Sequence, residues 1–138
     1  MDPRHILVSV APEEALVHVR TLPARPAELE PLPPDLPELL VGRLGLLGIT
    51  GLYPHQARAL EAVRAGRNVI VATGTASGKT LVYDLAFAAE AILSPKATAL
   101  YLFPTKALAR DQLRAVRELR LPQLRAAVYD GDTPRAER

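Results

Sequence analysis

A glycine-containing loop between an apolar run and a helical pattern constrains this chain more than any other feature. The run Asn68–Ala72 is short, apolar and rich in β-branched residues, which is typical of a buried strand. Apolar residues recur at helical spacing over 81–92, and Ser94-Pro95 ends that pattern. Between them, residues 73–80 read Thr-Gly-Thr-Ala-Ser-Gly-Lys-Thr. A strand, a glycine-bearing loop and a helix in this order predict a phosphate-binding loop.

The residue types in this loop suit the phosphates of ATP and a bound Mg²⁺ ion. Gly74 and Gly78 allow a tight turn close to a phosphate, where a Cβ would intrude. We expect Lys79 to reach the β- and γ-phosphates and the Thr80 hydroxyl to enter the Mg²⁺ shell, which gives both residues a catalytic role. Backbone amides at the start of the helix would hold the remaining anionic oxygens. The predicted nucleotide-binding residues of the loop are Thr73, Gly74, Thr75, Ala76, Ser77, Gly78, Lys79 and Thr80.

This loop departs from the strict phosphate-loop pattern at one position. That pattern has four residues between its two glycines, and counting back from Gly78 puts Thr73 where the first glycine would stand. Gly78-Lys79-Thr80 is intact. These three residues include the lysine and the threonine that would contact phosphate and metal.

Composition restricts the compartment and the class of protein. The 138 residues suffice for one small domain, and the absence of cysteine excludes disulfides and thiolate zinc sites. No apolar run approaches the roughly 20 residues of a membrane helix. We therefore expect a cytoplasmic protein without a membrane partner. The net charge is only +2, but a mild basic bias after residue 37 allows a nucleic-acid partner without requiring one.

The chain divides by composition into two parts. Residues 1–37 hold eight of the thirteen prolines, which predicts an extended Pro-rich N-terminal extension. Residues 38–138 alternate helical patterns with apolar runs, and the runs after the first are Ala97–Phe103 and Ala126–Tyr129. This alternation predicts an α/β fold.

A glutamine upstream of the loop is a candidate for base recognition. Pro54 suits the first position of a helix and Gly66 its end, so a helix is expected over Pro54–Ala65 with Gln56 in its first turn. The side-chain amide of Gln56 can donate and accept at once, as an adenine edge requires. Taken without context, Gln56 is a solvated helix residue, and this alternative is the simpler one.

A second candidate region follows the apolar run 97–103. Thr105 is a suitable N-cap for a helix over Lys106–Leu121. Arg110 begins a row of arginines at i, i+4 and i+7, which either follows a phosphate backbone or forms a solvated helix face. Asp130 and Asp132 suggest a metal site, but the composition of this stretch favours a turn.

Three of these stretches together resemble the first motor domain of superfamily two helicases, the DEAD/DEAH-box-like group. Residues 52–56, with Tyr53 and Gln56, are similar to the Q motif, which reads adenine, and residues 73–80 to motif I. Residues 103–112 are similar to motif Ia, which grips the nucleic-acid backbone. The resemblance implies nucleic-acid contacts from Pro104, Thr105, Lys106 and Arg110.

Within this group the chain resembles DNA helicases of the mitomycin repair factor A type. The stretches that carry this are residues 76–80, 101–108, 129–134 and the segment 19–26. The resemblance implies a RecA-like domain with a parallel sheet flanked by helices. It also implies ATP-driven three-prime to five-prime translocation on single-stranded or partly duplex DNA, with a role in repair.

The printed sequence ends before any DExH box. We therefore expect residues 38–138 to be part of a first RecA-like motor domain that binds ATP without hydrolysing it alone. The DExH box and the second motor domain would belong to the rest of the helicase chain. Two alternatives remain open from the residues: another P-loop NTPase such as a small-molecule kinase, and a non-catalytic nucleotide- or nucleic-acid-binding module.

Overall fold

Four helices and one short two-stranded sheet form the regular structure of the part of the chain described here. The computed structural model describes residues 18, 20, 22–23 and 26–137. Most of the predicted extension, residues 1–37, lies outside these residues, and the domain boundary at 37 stays a prediction. The helices are α1 (Glu38–Leu46), α2 (Pro54–Arg64), α3 (Lys79–Leu93) and α4 (Lys106–Glu118), followed by a 3₁₀ turn (Arg135–Glu137).

The ends of the helices follow the signals that the sequence carries. Gly48 and Gly66 take left-handed φ values of 74° and 71° just beyond α1 and α2. The Thr105 hydroxyl accepts a hydrogen bond from the Leu108 backbone N–H at 3.2 Å, which confirms the predicted N-cap of α4. The longest helix, α3, has 15 residues, and no helix within the described ranges is long and apolar enough to cross a membrane.

Helix α4 ends three residues earlier than its apolar pattern predicts. Arg120 adopts a left-handed φ of 48°, which ends the helical path after Glu118. The turn carries the two flanking leucines into the core, where Leu119 and Leu121 are 4% and 5% exposed. Burial of these side chains thus overrides the helical spacing.

The core lies where α1, α2 and α3 meet around the short sheet. Strands β1 (Glu30–Pro31) and β2 (Gly51–Leu52) pair antiparallel, with Glu30 opposite Leu52. Because β2 leads directly into Tyr53 and α2, this pairing helps to fix the start of α2. The largest side chains with less than 2% exposure are Leu40, Leu44, Leu52, Leu60 and Leu85.

The structure differs from the sequence prediction in its sheet. The segments 68–72, 97–103 and 126–129 carry no strand in the described residues, so the predicted parallel sheet is not observed. Ile70, Leu100 and Leu102 are 96%, 82% and 82% exposed. A strand exists only through hydrogen bonds to a neighbour, and these segments are not paired with one another. These apolar runs have the sequence pattern of strands but form no strand in the described residues.

One face of the segment 97–103 nevertheless packs on α3. The Tyr101 ring lies edge-on to the rings of Tyr83, Phe87 and Phe103, with centroids 5.0, 6.4 and 6.2 Å away. The Tyr101 hydroxyl donates to Asp84 Oδ1 at 3.1 Å. Burial raises the pKa of Asp84 to about 6, against the opposing effect of this hydrogen bond. Burial and the neighbouring carboxylate also raise the pKa of the Tyr101 hydroxyl.

The raised pKa of Asp84 predicts a pH dependence of stability. Between about pH 4 and pH 6 the folded chain keeps a proton on Asp84 that the unfolded chain has released. The free energy of unfolding should therefore fall as the pH rises through this window, by on the order of 2–3 kcal/mol. Asp84→Asn keeps an oxygen for the Tyr101 O–H and should remove this fall, leaving the variant more stable at pH 7. Urea unfolding at a series of pH values measures the difference, and parallel curves for the two proteins would contradict it.

Candidate functional site

The loop before α3 contains a strained residue that the sequence pattern did not indicate. Ala76 has a φ of 57° and Gly78 a φ of 70°. The left-handed region costs a residue with a Cβ roughly 1–2 kcal/mol. Such strain persists where the surroundings fix the backbone, and it concentrates at ligand-binding sites.

The side chain of Lys79 folds over this loop. Its ammonium group donates to the carbonyl oxygens of Thr73 at 3.0 Å and Gly74 at 2.6 Å, and lies 3.3 Å from Ser77 Oγ. The hydroxyls of Thr73 and Ser77 are 2.6 Å apart and close the loop from the other side. The ammonium charge is therefore centred on the loop rather than extended into solvent. Thr73, which replaces the expected glycine, supplies two of these contacts.

The backbone amides of the loop lie beside the Lys79 ammonium group and are further hydrogen-bond donors. Apart from the turn at Thr75–Ala76, no backbone–backbone hydrogen bond is donated by an N–H from Thr75 to Thr80 within the described part of the chain. These amides precede or begin α3, where the helix dipole favours a negative charge. Unpaired N–H groups beside a lysine suit the oxygens of a polyphosphate, so the residues present fit the predicted ATP phosphates.

Gln56 is fastened to the loop and is not a solvated helix residue. Its Oε1 accepts from the Tyr53 backbone N–H at 2.8 Å, and its Nε2 donates to the Gly78 carbonyl at 2.7 Å. The residue is 3% exposed, so the simpler alternative from the sequence is wrong. The helical pattern could not reveal this burial, because it arises where the first turn of α2 meets a loop 22 residues further along the chain.

The contact with Gln56 gives Gly78 a second reason to be glycine. A Cβ at Gly78 would overlap Gln56 Nε2, and the positive φ already disfavours a side chain. An added Cβ at Gly74, by contrast, would meet no atom within 4 Å. Gly78 is thus required by the packing of α2 on the loop, whereas the protein itself places no such demand at Gly74.

His55 forms a second link between α2 and the loop. Its Nε2 lies 2.9 Å from the Ser77 carbonyl oxygen, and its ring stacks on Tyr53 with centroids 5.8 Å apart. The sequence analysis did not select His55. The one sequence feature that could have indicated a role for His55 is its position beside Gln56 in the first turn of α2. Two adjacent side chains of α2 therefore hold consecutive parts of the loop.

The predicted nucleic-acid contacts lie at the start of α4, beside an acidic turn. Lys106 Nζ is 2.6 Å from Asp132 Oδ2, and Arg110 Nη2 lies 3.7 Å from the same oxygen and 3.9 Å from Asp130 Oδ2. Asp130 Oδ1 accepts from the Asp132 backbone N–H at 2.8 Å, which confirms the predicted turn. Lys106 holds the pKa of Asp132 below its usual range. The structure thus brings the two predicted cations together and pairs both with carboxylates.

The arginines further along α4 form an exposed helix face. Arg114 lies 3.5 Å from Asp111 Oδ1, and both side chains are mostly exposed. Arg117 is exposed as well. These two positions fit the solvated-face alternative, and only Arg110 joins the acidic turn.

The two hydrogen bonds of Gln56 predict a measurable contribution to stability. Gln56→Ala leaves the Tyr53 N–H and the Gly78 carbonyl without their partner, which should lower the free energy of unfolding by about 1–3 kcal/mol. Gln56→Glu keeps the acceptor but faces the Gly78 carbonyl with a second oxygen, so it should be at least as destabilising at pH 8. Urea unfolding followed by circular dichroism measures both, with exposed Gln123→Ala as the control. Wild-type stability in Gln56→Glu would contradict the assigned amide orientation.

Comparison with known proteins places these features in a family. Residues 53–138 match the DEAD/DEAH box helicase family. The chain is 42% identical over 127 residues to the ATP-dependent helicase HRQ1 of Saccharomyces cerevisiae, covering 88% of this chain and 11% of that protein. It is 38% identical over 128 residues to the ATP-dependent helicase YprA of Bacillus subtilis, covering 91% of this chain and 17% of that protein. The chain thus spans less than a fifth of the length of these relatives.

Solved structures agree with this assignment. The crystal structure of the DUF1998 helicase MrfA bound to DNA superimposes with a TM-score of 0.76 at 39% identity, covering 81% of this chain and 16% of that one. The crystal structure of MrfA bound to DNA and AMPPNP gives a TM-score of 0.75. The resemblance to the mitomycin repair factor A type is therefore confirmed.

Membership of this family also indicates the fold class, although the parallel sheet itself is not observed in the described residues. A DEAD/DEAH box domain has a RecA-like α/β fold, and the described helices and loop form part of one. The small-molecule kinase alternative is accordingly wrong. Through its match over residues 53–138, the chain belongs to the DEAD/DEAH box helicases.

Proposed function

We propose that this chain is the ATP- and DNA-binding N-terminal part of an ATP-dependent DNA helicase that acts in DNA repair. One observation carries the proposal: Lys79 folds over the loop of residues 73–80, and the buried Gln56 donates a hydrogen bond to the Gly78 carbonyl of the same loop. The relatives support the reaction class, since HRQ1 and YprA are named ATP-dependent helicases. MrfA supports the ligands, since its crystals contain DNA and AMPPNP.

The phosphates of ATP would lie across the loop amides. Lys79 would exchange its carbonyl partners for β- and γ-phosphate oxygens, and the Thr80 hydroxyl would bind Mg²⁺. Mg²⁺ supplies positive charge between these phosphates when it is bound. Lys79 and Thr80 are therefore the two proposed catalytic residues on this chain.

Gln56 and Tyr53 are proposed to recognise the adenine base. A side-chain amide has two N–H donors and two acceptor lone pairs, and the contacts to Tyr53 and Gly78 use one of each. The remaining donor and acceptor match the adenine edge. Tyr53 is 40% exposed beside this position and offers an aromatic ring to the base.

The start of α4 is proposed to hold the DNA backbone. Pro104 and Thr105 are exposed just before the helix, where its dipole favours a phosphate. Lys106 and Arg110 would exchange the carboxylates of the acidic turn for phosphates. The preference for single-stranded or partly duplex DNA, the three-prime to five-prime direction and the cytoplasmic location remain predictions from the sequence.

The phosphate-loop assignment predicts a large effect of Lys79. Lys79→Ala removes a charge-assisted contact worth about 1.5–3 kcal/mol, so a fluorescent ATP analogue should bind roughly 10- to 150-fold more weakly. Lys96→Ala removes an exposed charge outside the loop and serves as the control. Equal binding by wild type and Lys79→Ala would show that the loop does not hold the phosphates.

The α4 assignment predicts a sequence-independent effect on DNA binding. Lys106→Ala with Arg110→Ala should weaken single-stranded DNA binding for every sequence and reduce the salt slope by about 1.4, since each phosphate contact contributes about 0.7. Asp132→Asn removes a competing carboxylate from Lys106 and should strengthen binding. Anisotropy of labelled oligonucleotides over a salt series measures both effects.

A charge-matched control separates contact from net charge. Lys96→Ala with Arg125→Ala removes two exposed cations outside the motif and should leave the salt slope nearly unchanged. If this control weakens binding as much as the α4 variant, general charge and not a local grip holds the DNA. A loss restricted to one DNA sequence would also refute backbone contact.

A further inference from the structure

A tyrosine on α3 connects the proposed metal ligand with the proposed DNA-contacting helix. The Tyr83 hydroxyl lies 3.2 Å from Thr80 Oγ1 and 2.9 Å from Gln112 Oε1 on α4. Among the described residues, this is the one hydrogen bond assigned between α3 and α4. Gln112 is half-buried, and all three residues line a cavity of about 840 Å³ that also contains Lys79.

The number of available protons decides which group donates in each of these two hydrogen bonds. A phenol has one proton, so Tyr83 cannot donate to Thr80 and Gln112 at the same time. Gln112 Oε1 can only accept. The arrangement that serves both contacts is therefore the Thr80 hydroxyl donating to Tyr83 and the Tyr83 hydroxyl donating to Gln112.

A cation on Thr80 would strengthen this chain of hydrogen bonds. A hydroxyl binds a metal through an oxygen lone pair and keeps its proton, which leaves it a stronger donor. Polarisation passes along connected hydrogen bonds, so the Tyr83 bond to Gln112 strengthens as well. The aromatic contact of Tyr83 with Tyr101, at a centroid distance of 5.0 Å, fixes the ring so that its hydroxyl keeps this position.

We propose that Tyr83 is a positioning residue that couples nucleotide and Mg²⁺ at Thr80 to the placement of α4 against DNA. This inference rests on the proposed function, because it takes Thr80 as a metal ligand and α4 as the DNA contact. Gln112 lies on α4 beyond Lys106 and Arg110, so a tighter bond to it steadies the helix that carries both cations. By reciprocity, DNA on α4 favours the nucleotide to the same degree.

The coupling is measured as a ratio of DNA affinities in the 138-residue chain. Anisotropy gives the affinity for a single-stranded oligonucleotide without nucleotide and with saturating AMPPNP and Mg²⁺. We expect the wild type to bind DNA roughly fivefold more tightly in the second condition, at the lower end of typical coupling. Replacing Mg²⁺ by EDTA should reduce this ratio toward one.

Two variants remove the connection from opposite ends. Tyr83→Phe keeps the ring packing on Tyr101, and Gln112→Leu removes the acceptor while keeping much of the side-chain volume. Each should bring the ratio close to one while changing the separate affinities for DNA and for AMPPNP less than about twofold. The double variant should show no further loss, because the two residues act through one bond. Gln123→Leu, on an exposed turn, should behave as wild type.

The outcomes separate this inference from the function on which it rests. A wild-type ratio in Tyr83→Phe overturns the role of Tyr83, and so does a variant with weaker separate affinities and an unchanged ratio. A wild type that binds both ligands with a ratio of one overturns the coupling but leaves the proposed function in place. A wild type that binds neither ligand overturns both.

Discussion

The arrangement of the site depends on the side-chain amide of Gln56. It accepts from the backbone of its own helix start and donates to the backbone of the phosphate loop, in a position that is 3% exposed. A buried amide that lost either partner would carry the desolvation cost of an unmade hydrogen bond, so the contact fixes the distance between α2 and the loop. His55 repeats the connection one residue earlier. The loop can then hold Ala76 in a left-handed conformation, because its neighbours leave it little freedom.

Charge compensation recurs at both proposed binding regions. Lys79 donates to loop oxygens, and Lys106 and Arg110 face the carboxylates of the acidic turn. Each cation thus already has oxygen partners at the place where we propose that it contacts a phosphate. Exposed pairs of this kind stabilise a fold little, because water and salt screen them. In the proposed function their consequence would be for binding: an anion would replace an existing partner, and the cation would need little reorganisation.

The region around Tyr101 shows how α3 and the segment before α4 are joined without a sheet. Aromatic contacts and the hydrogen bond to Asp84 hold one face of the segment 97–103, while Leu100 and Leu102 remain exposed on the other. The bond is made to a carboxyl group whose burial raises its pKa and costs stability at neutral pH, and the Tyr101 hydrogen bond offsets part of that cost. Tyr83 extends the same cluster to α4.

The sequence by itself determined the local features. The bounds of α2 and α3, the N-cap at Thr105, the acidic turn and the phosphate-loop residue types follow from signals within a few residues of one another. The motifs also identified the family, because their order along the chain is itself a sequence property. Tertiary structure alone decided that Gln56 is buried, that His55 reaches Ser77, that Lys106 meets Asp132 and that α4 ends at Glu118. It also decided that the apolar runs remain unpaired in the described residues, since a strand requires a partner that its own residues cannot supply. Capping and turn chemistry act between near neighbours, whereas burial and pairing depend on groups that only the folded chain brings together.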